Sequence, residues 1–280
     1  MPDTTSRVLL VQCPDRTGLI HAVTGVLSRR GLNIVSNGEF VDVARREFFM
    51  RTEIEGAPEE ESLCTELSGL LPAGASVGFL PAGMRRVVVL VTKEYHCLGD
   101  LLLRHAHGDL GASIEAVVGN HDVLAPLAGR FGVPFRLVGA EGLEREEHEA
   151  RVLAAVEPFD PEYVVLAKYM RVLGPRFLER FPSRIVNIHH SFLPAFVGAN
   201  PYRQASERGV KIIGATAHFV TERLDDGPII AQSVIPVDHT HTPAEMARAG
   251  RDVEKIVLAN ALKLVFEGRV FLCGNRTVVL

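Results

Sequence analysis

The chain has 280 residues, a formal net charge of −4 at pH 7, 47% hydrophobic residues and 23% charged residues. The length is comfortable for two domains and the composition is that of an ordinary globular protein. A net negative charge argues against a general nucleic-acid binder, which carries a basic excess; no apolar run approaches the roughly 18 residues of a membrane span, and the first one is too short for a signal peptide. A cytoplasmic protein without nucleic-acid or membrane partners is therefore expected.

"RVLLVQC" opens the chain as a short apolar strand, and "PDRTG" interrupts it. Leu19, Ile20, Val23, Val26 and Leu27 then fall at helical spacing, and Gly31 supplies a stop. "NIVSNGEFVD" and "REFFMRTEIEG" read as two strands joined by a polar turn at Ala44 and Arg45. "PEEESLCTELSGLL" reads as a second helix with acidic residues in its first turn, and "SVGFL" as a last strand. Strand, helix, strand, strand, helix, strand is the split βαβ, ferredoxin-like order.

"PAGMRR" at 81–86 reads as a linker, giving a first domain over 1–82 and a second over 83–280. Beyond it "VVVLVT" is a continuous apolar run, as in a strand buried on both faces. "SIEAVVGN", "PFRLVG", "YVVLAKYM", "RIVNIHH" and "KIIGATAHFV" follow as strands separated by helical or loop segments. That alternation predicts a parallel α/β sheet, whose ligands bind outside the carboxyl ends of its strands. Residues 244–268 read as a long amphipathic helix, and "VFLCGNRTVVL" as a closing hairpin around Gly274 and Asn275. In "GNHD", Asn120 and Asp122 read either as helix caps or as groups that help close a site.

The chemistry concentrates in "NIHHSFLPAFVGANP", where a strand runs into a loop broken by Pro194 and Gly198. Residues two apart on a strand share a face, so Asn187 and His189 point the same way, while His189 and His190 do not and make a poor metal pair. A lone histidine is ordinarily a hydrogen-bonded structural residue. "GATAHFVTERLDDGPIIAQ" repeats the pattern, with His218 on a strand, then Asp225 and Asp226 ahead of Gly227 and Pro228. Alone, "LDDG" reads as a solvated turn. Ser191 shows no activating neighbour and reads as structural. The four cysteines, Cys13, Cys64, Cys97 and Cys273, lie far apart with no CxxC pair, so no zinc or redox motif is visible and reduced thiols are expected.

Taken together, the two stretches resemble the formyltetrahydrofolate-using formyltransferase family. That family pairs an Asn-Ile-His segment followed by Ser-Leu-Leu-Pro with a His-Phe-Val strand and a Leu-Asp-Gly-Gly-Pro loop; this chain has "NIHHSFLP", "HFV" and "LDDGP" in the same order. The resemblance covers roughly residues 85 to 280 and implies a Rossmann-like domain with a mostly parallel sheet. It also implies a catalytic trio of Asn187, His189 and Asp225, and a folate pocket lined by Tyr169, Met170, Arg171, Val172 and Leu173. His218, Val220, Glu222 and Leu224 join the expected substrate contacts. Formyl-folate is then the substrate, with no cofactor or metal required. The division of proton transfer between His189 and Asp225 stays open, since it depends on burial.

Where glycinamide ribonucleotide formyltransferases carry a glycine-rich phosphate loop, this chain has "TKEYHCLGD", and Glu94 there would repel a phosphate. The acceptor pocket reads as lost or filled, which leaves water as nucleophile. The first domain, from "CPDRTGLIHAVTGVLSRRGLNIVSNGEF", resembles an ACT domain. That likeness implies a small-molecule regulatory site around Asp15, Gly18, Leu19 and Asn33, an amino-acid effector such as glycine or methionine, and homo-oligomers formed through these domains. An ACT domain ahead of such a catalytic domain resembles the formyltetrahydrofolate deformylase family, which implies hydrolysis of 10-formyltetrahydrofolate to tetrahydrofolate and formate. A formyltransferase acting on an amine acceptor and an amino-acid sensor with an inactive folate site are the alternatives.

Overall fold

In the computed structural model residues 6–195 and 201–280 are described, so the loop expected at Gly198 lies outside the described residues. The chain divides into two compact units.

The first unit begins with β1 (Ser6–Pro14), α1 (Leu19–Arg29), β2 (Asn33–Asp42), β3 (Glu47–Glu55), α2 (Glu60–Leu70) and β4 (Ser76–Phe79). Its sheet has the order β2-β3-β1-β4 with antiparallel pairs, as the ferredoxin-like pattern requires. On β1 every second residue, Leu9, Val11 and Cys13, is buried, and each faces Val23, Leu27, Leu63 and Leu67 from the two helices in a common core. Gly18 enters α1 at φ 89, a left-handed conformation that glycine adopts without steric cost.

The second unit runs through β5 (Arg85–Val91), α3 (His96–His107), β6 (Ala112–Gly119), α4 (Ala125–Arg130), β7 (Phe135–Leu137), α5 (Arg145–Val156) and β8 (Tyr163–Leu166). It continues with α6 (Pro175–Arg180), β9 (Ile185–His189), α7 (Pro201–Arg208), β10 (Ile212–Phe219), β11 (Ile229–Pro236) and α8 (Pro243–Phe266). The seven strands lie in the order β11-β10-β9-β8-β5-β6-β7. From β7 to β9 every pair is parallel; β10 then runs antiparallel to both β9 and β11. Val87 to Val91 of β5 are all buried, as expected of a central strand with helices on both faces. The chain leaves β5 toward β6 on one side and returns through β8 on the other, so the strand order reverses there. Ligand crevices form at such reversals, outside the carboxyl ends of the strands.

Three sequence expectations need correction. Strand character in "YVVLAKYM" stops at Leu166, because Lys168 adopts a left-handed φ of 61 that no strand accommodates. "PAGMRR" is a linker only in its first half: Arg85 starts β5 and is buried against Glu162 at 3.0 Å. Of the two readings of "GNHD", capping fails: Asp122 is itself the first residue of a short helical turn, whose N-cap, His121, carries no side-chain hydrogen bond.

The closing hairpin, β12 (Val270–Cys273) and β13 (Arg276–Val279), forms around Gly274 and Asn275. The sequence reading assigned all of 83–280 to one domain, yet Glu267–Cys273 and Thr277–Leu280 belong with the first unit. The reason is apolar cover. Phe49, fully buried on the helix-free face of β3, meets Phe271 edge-on at 5.7 Å, and Cys273 joins the same cluster. Phe271→Ala is expected to cost about 3 kcal/mol of stability in denaturant unfolding; a loss below about 1 kcal/mol would mean that the hairpin is not what seals this face.

Candidate active site

Two strands build the centre of the site. Alternation on β9 puts Asn187 and His189 on one face, and antiparallel pairing sets His218 of β10 directly opposite Asn187. The contact between them is 3.2 Å, from the Asn187 amide nitrogen to His218 Nε2. Its direction follows from the other ring nitrogen: His218 Nδ1 lies 2.9 Å from the carbonyl oxygen of Phe219, which can only accept, so Nδ1 carries the proton. Neutral His218 therefore accepts from Asn187 through Nε2. Burial pushes the His218 pKa down, which keeps the ring neutral. One amide N–H of Asn187 is thus spent on orientation, and the second has no acceptor among the described residues.

The loop after β10 returns Asp225 to the same centre. Its carboxylate lies 3.2 Å from His189 Nδ1 and 3.9 Å from His218 Nε2. Burial works to raise the Asp225 pKa, but the hydrogen bond from His189 prevails and lowers it. An ionised Asp225 accepts from Nδ1 and so directs His189 Nε2 outward. Nε2 is buried and has no hydrogen-bond partner among the described residues. The loop needs Gly227: a Cβ there would sit 1.7 Å from the carbonyl oxygen of Phe219. Thr216, fully buried, secures the other side, donating to the carbonyl of Ser191 at 2.9 Å and accepting from the backbone N–H of Leu193 at 3.0 Å. Ser191 donates to the carbonyl of Ala195, in line with a structural role.

Asn187, His189, His218 and Asp225 line a cavity of about 550 Å³ outside the carboxyl ends of β8 and β9, with His218 reaching it from the antiparallel β10. Tyr169, Met170, Arg171, Val172 and Leu173 form one wall; His218, Val220 and Leu224 line it from the β10 side. Met170 and Leu224 are about 60% exposed apolar groups at 59% and 62%, an open rim suited to a flat apolar ligand. Glu222 is the one expected contact that is not brought to the cavity, although its neighbours Thr221 and Arg223 are. Of the four expected regulatory residues, Asn33 lines a shallow groove of the first unit with His21, Thr24 and Ser28. Leu19 is a core residue, Asp15 is exposed, and Gly18 starts α1 without lining the groove.

The sequence reading missed the charged end of the cavity. Lys168, Tyr202 and Glu254 line it, with Glu94 beside them. Glu254 lies on the buried stripe of α8 with Gly250, Val253 and Val257. A carboxylate at helical spacing among those apolar positions is the signal that could have exposed it. His96 Nε2 and the Tyr202 hydroxyl both donate to Glu254, at 2.8 and 2.7 Å. Burial alone would raise Glu254, yet these bonds and the Lys168 charge hold it at about 2. One donor atom each from His96, Cys97 and Glu254 lies within 4.8 Å of the others. Lys168 Nζ at 3.1 Å from Glu254 already supplies the cation there, so the trio is poorly suited to a metal ion.

Comparison with known proteins places this geometry. Residues 85–262 match the formyl transferase family and residues 7–70 match the ACT domain, so fold and site define a formyl transferase-type protein with an ACT domain ahead of it. A formyltetrahydrofolate deformylase of Escherichia coli is 57% identical over 98% of both chains. The crystal structure of a formyltetrahydrofolate deformylase from Pseudomonas syringae pv. tomato covers 100% of this chain and 96% of its own, with 38% identity and a TM-score of 0.94. Glycinamide ribonucleotide transformylase 1 of Symbiobacterium toebii superimposes with a TM-score of 0.69 at 32% identity, covering 75% of this chain and 100% of its own. The chain belongs to the formyltetrahydrofolate deformylase family.

Two stability experiments test the local geometry. Gly227→Ala is expected to cost about 1–3 kcal/mol, whereas Gly69→Ala in α2, with open space around its Cβ, costs nothing; equal effects would remove the close approach as the reason for Gly227. His190 stacks on His189 with centroids 5.1 Å apart, and burial, then the charges of Lys168 and His189, push its pKa down to about 4. The unfolded ring binds a proton near pH 6.5 and the folded ring does not until about 4, so stability is lost as pH falls through that window. The wild type should lose about 2 kcal/mol more than His190→Gln between pH 7.5 and pH 5. Parallel losses in the two proteins would exonerate His190.

Proposed function

We propose that this protein hydrolyses 10-formyltetrahydrofolate to tetrahydrofolate and formate. The observation that carries the reading is the buried, unpartnered Nε2 of His189, backed through Nδ1 by Asp225 and standing beside the one amide N–H of Asn187 that the fold leaves over.

The apolar wall from Tyr169 to Leu173 and the Leu224 side offer the flat surfaces that a folate needs, with its formyl group at the trio. Neutral His189 takes a proton from water through Nε2 as the water oxygen adds to the formyl carbon. The resulting oxyanion accepts from Asn187, and Asp225 stabilises the imidazolium at Nδ1. Removing a donor of this kind typically costs about 10²–10³ in rate. Collapse breaks the bond to N10, His189 returns the proton to that nitrogen, and formate leaves. Side chains and water complete this scheme without metal or cofactor. Such an activity would balance the one-carbon folate pool and supply formate for purine biosynthesis, in a cytoplasmic setting.

For the first unit we propose a regulatory site for a small amino acid such as glycine or methionine. We also propose self-association along β2. That strand is an edge of its sheet, and Val35 and Phe40 on it are exposed, which supports pairing with a second copy.

The test is turnover of purified protein with 10-formyltetrahydrofolate and no acceptor. Formate and tetrahydrofolate should appear in equal amounts, and Asn187→Ala, His189→Ala and Asp225→Ala should each slow the reaction by about 10²-fold or more. A requirement for an amine acceptor would replace hydrolysis by transfer. Near-wild-type rates in all three variants would place the chemistry elsewhere.

A further inference from the structure

Lys168 sits where two physical penalties meet. It is a non-glycine residue with a left-handed φ of 61, and its side chain is only 4% exposed. Left-handed backbone is costly for a residue with a Cβ, and a buried ammonium is costly unless it is fully paired. A glycine would satisfy the backbone at no cost. Lysine there is explained only by what its side chain does.

That side chain reaches Glu254 at 3.1 Å and Glu94 at 3.6 Å. The surroundings are built to receive it. Glu254 is 1% exposed and also holds His96 and Tyr202. Gly250 lets Tyr202 approach α8, since a Cβ there would lie 2.0 Å from the hydroxyl. His96 Nδ1 is buried without a hydrogen-bond partner among the described residues, 3.8 Å from Glu94. Glu94, Lys168, Tyr202 and Glu254 line the same cavity as Asn187, His189 and Asp225.

Without the lysine side chain this end of the cavity would be a recess beside the formyl group, walled by two carboxylates and a tyrosine hydroxyl. Such a recess suits a second substrate that carries an amine together with hydroxyl or cationic groups. With the lysine present, the protein's own ammonium neutralises the carboxylates and fills the space. We propose that Lys168 is the specificity-determining residue that keeps this site hydrolytic: it occupies the acceptor recess from within, so that water alone reaches the formyl carbon. This inference rests on the hydrolytic reading and deepens it. In the opened recess an unprotonated primary amine adds to the formyl carbon, the bond from that carbon to N10 breaks, and the amine proton passes through His189 to N10. The products are a formamide and tetrahydrofolate, and no oxidant or reductant is involved.

The experiment uses full-length protein, 10-formyltetrahydrofolate and millimolar glycinamide, a small primary amine partly unprotonated at pH 8. Wild type should release its formyl groups as formate alone, at a rate indifferent to glycinamide. Lys168→Gly, with its backbone strain relieved, should bind glycinamide in calorimetric titration and divert at least a tenth of the formyl groups into N-formylglycinamide. Lys168→Ala should do the same to a smaller extent. If either variant folds, by circular dichroism and melting, yet neither binds the amine nor diverts any formyl group, the proposal is overturned. Failure of both variants to fold would make Lys168 a stability element alone and overturn it equally. The wild-type control separates the two readings: no hydrolysis by wild type defeats the function itself, whereas hydrolysis with amine-blind variants defeats only the role of Lys168.

Discussion

The antiparallel register of β10 on β9 is the constraint from which the active centre follows. It sets His218 opposite Asn187 and Thr216 opposite His189. The first pairing fixes the orientation of an amide that is otherwise free to flip. The second places a fully buried hydroxyl where it can hold the loop leaving β9. A shift of one residue would turn Asn187 and His189 away from their partners, because side chains alternate along a strand. The same reversal of direction sends the chain back over the strand ends, which allows Asp225 to reach His189.

Charge in this cavity is arranged in two separate balances. At the trio, a carboxylate with a lowered pKa faces one histidine held neutral by burial and a second whose free nitrogen points to the ligand space. At the other end Glu254 is held near a pKa of about 2 by His96, Lys168 and Tyr202, although it is almost wholly buried. Desolvating so many groups is unfavourable unless each finds a partner. These groups come from the loop after β8 and from α3, α7 and α8, four segments distant in sequence, so this end of the cavity exists only once the second unit has assembled. Backbone strain collects in the same places. Among the non-glycine residues with positive φ are Lys168 and Asp225, one at each balance.

Much of this protein could be read directly from its residues. The period-2 and period-3.6 apolar patterns located the strands and helices of both units, because those patterns report which side of an element must leave water. The pair "NIHHSFLP" and "LDDGP" named Asn187, His189 and Asp225, and the fold brings the three together, the first two from β9 and the third from the loop after β10. The end of the strand in "YVVLAKYM" is not legible locally, since nothing in the segment says that Lys168 turns left-handed, where it pairs with Glu254, 86 positions further along. Glu222 was expected in the cavity and lies outside it, because loop residues follow no period.

The sequence by itself therefore determined the element order and the family, and named three polar residues that the fold brings together, all of which rest on short-range patterns. The tertiary structure alone decided three further points. It set which tautomer orients Asn187, through a carbonyl that happens to lie beside His218. It assigned the C-terminal hairpin to the first unit, where Phe49 needed apolar cover. It also assembled the Lys168–Glu254 end of the cavity from four separate segments. The second and third depend on contacts between residues far apart in the chain, whose distances are set by the packing of whole elements; the first depends on the backbone conformation at Phe219, next to His218, and on the strand pairing that brings Asn187 to the other ring nitrogen.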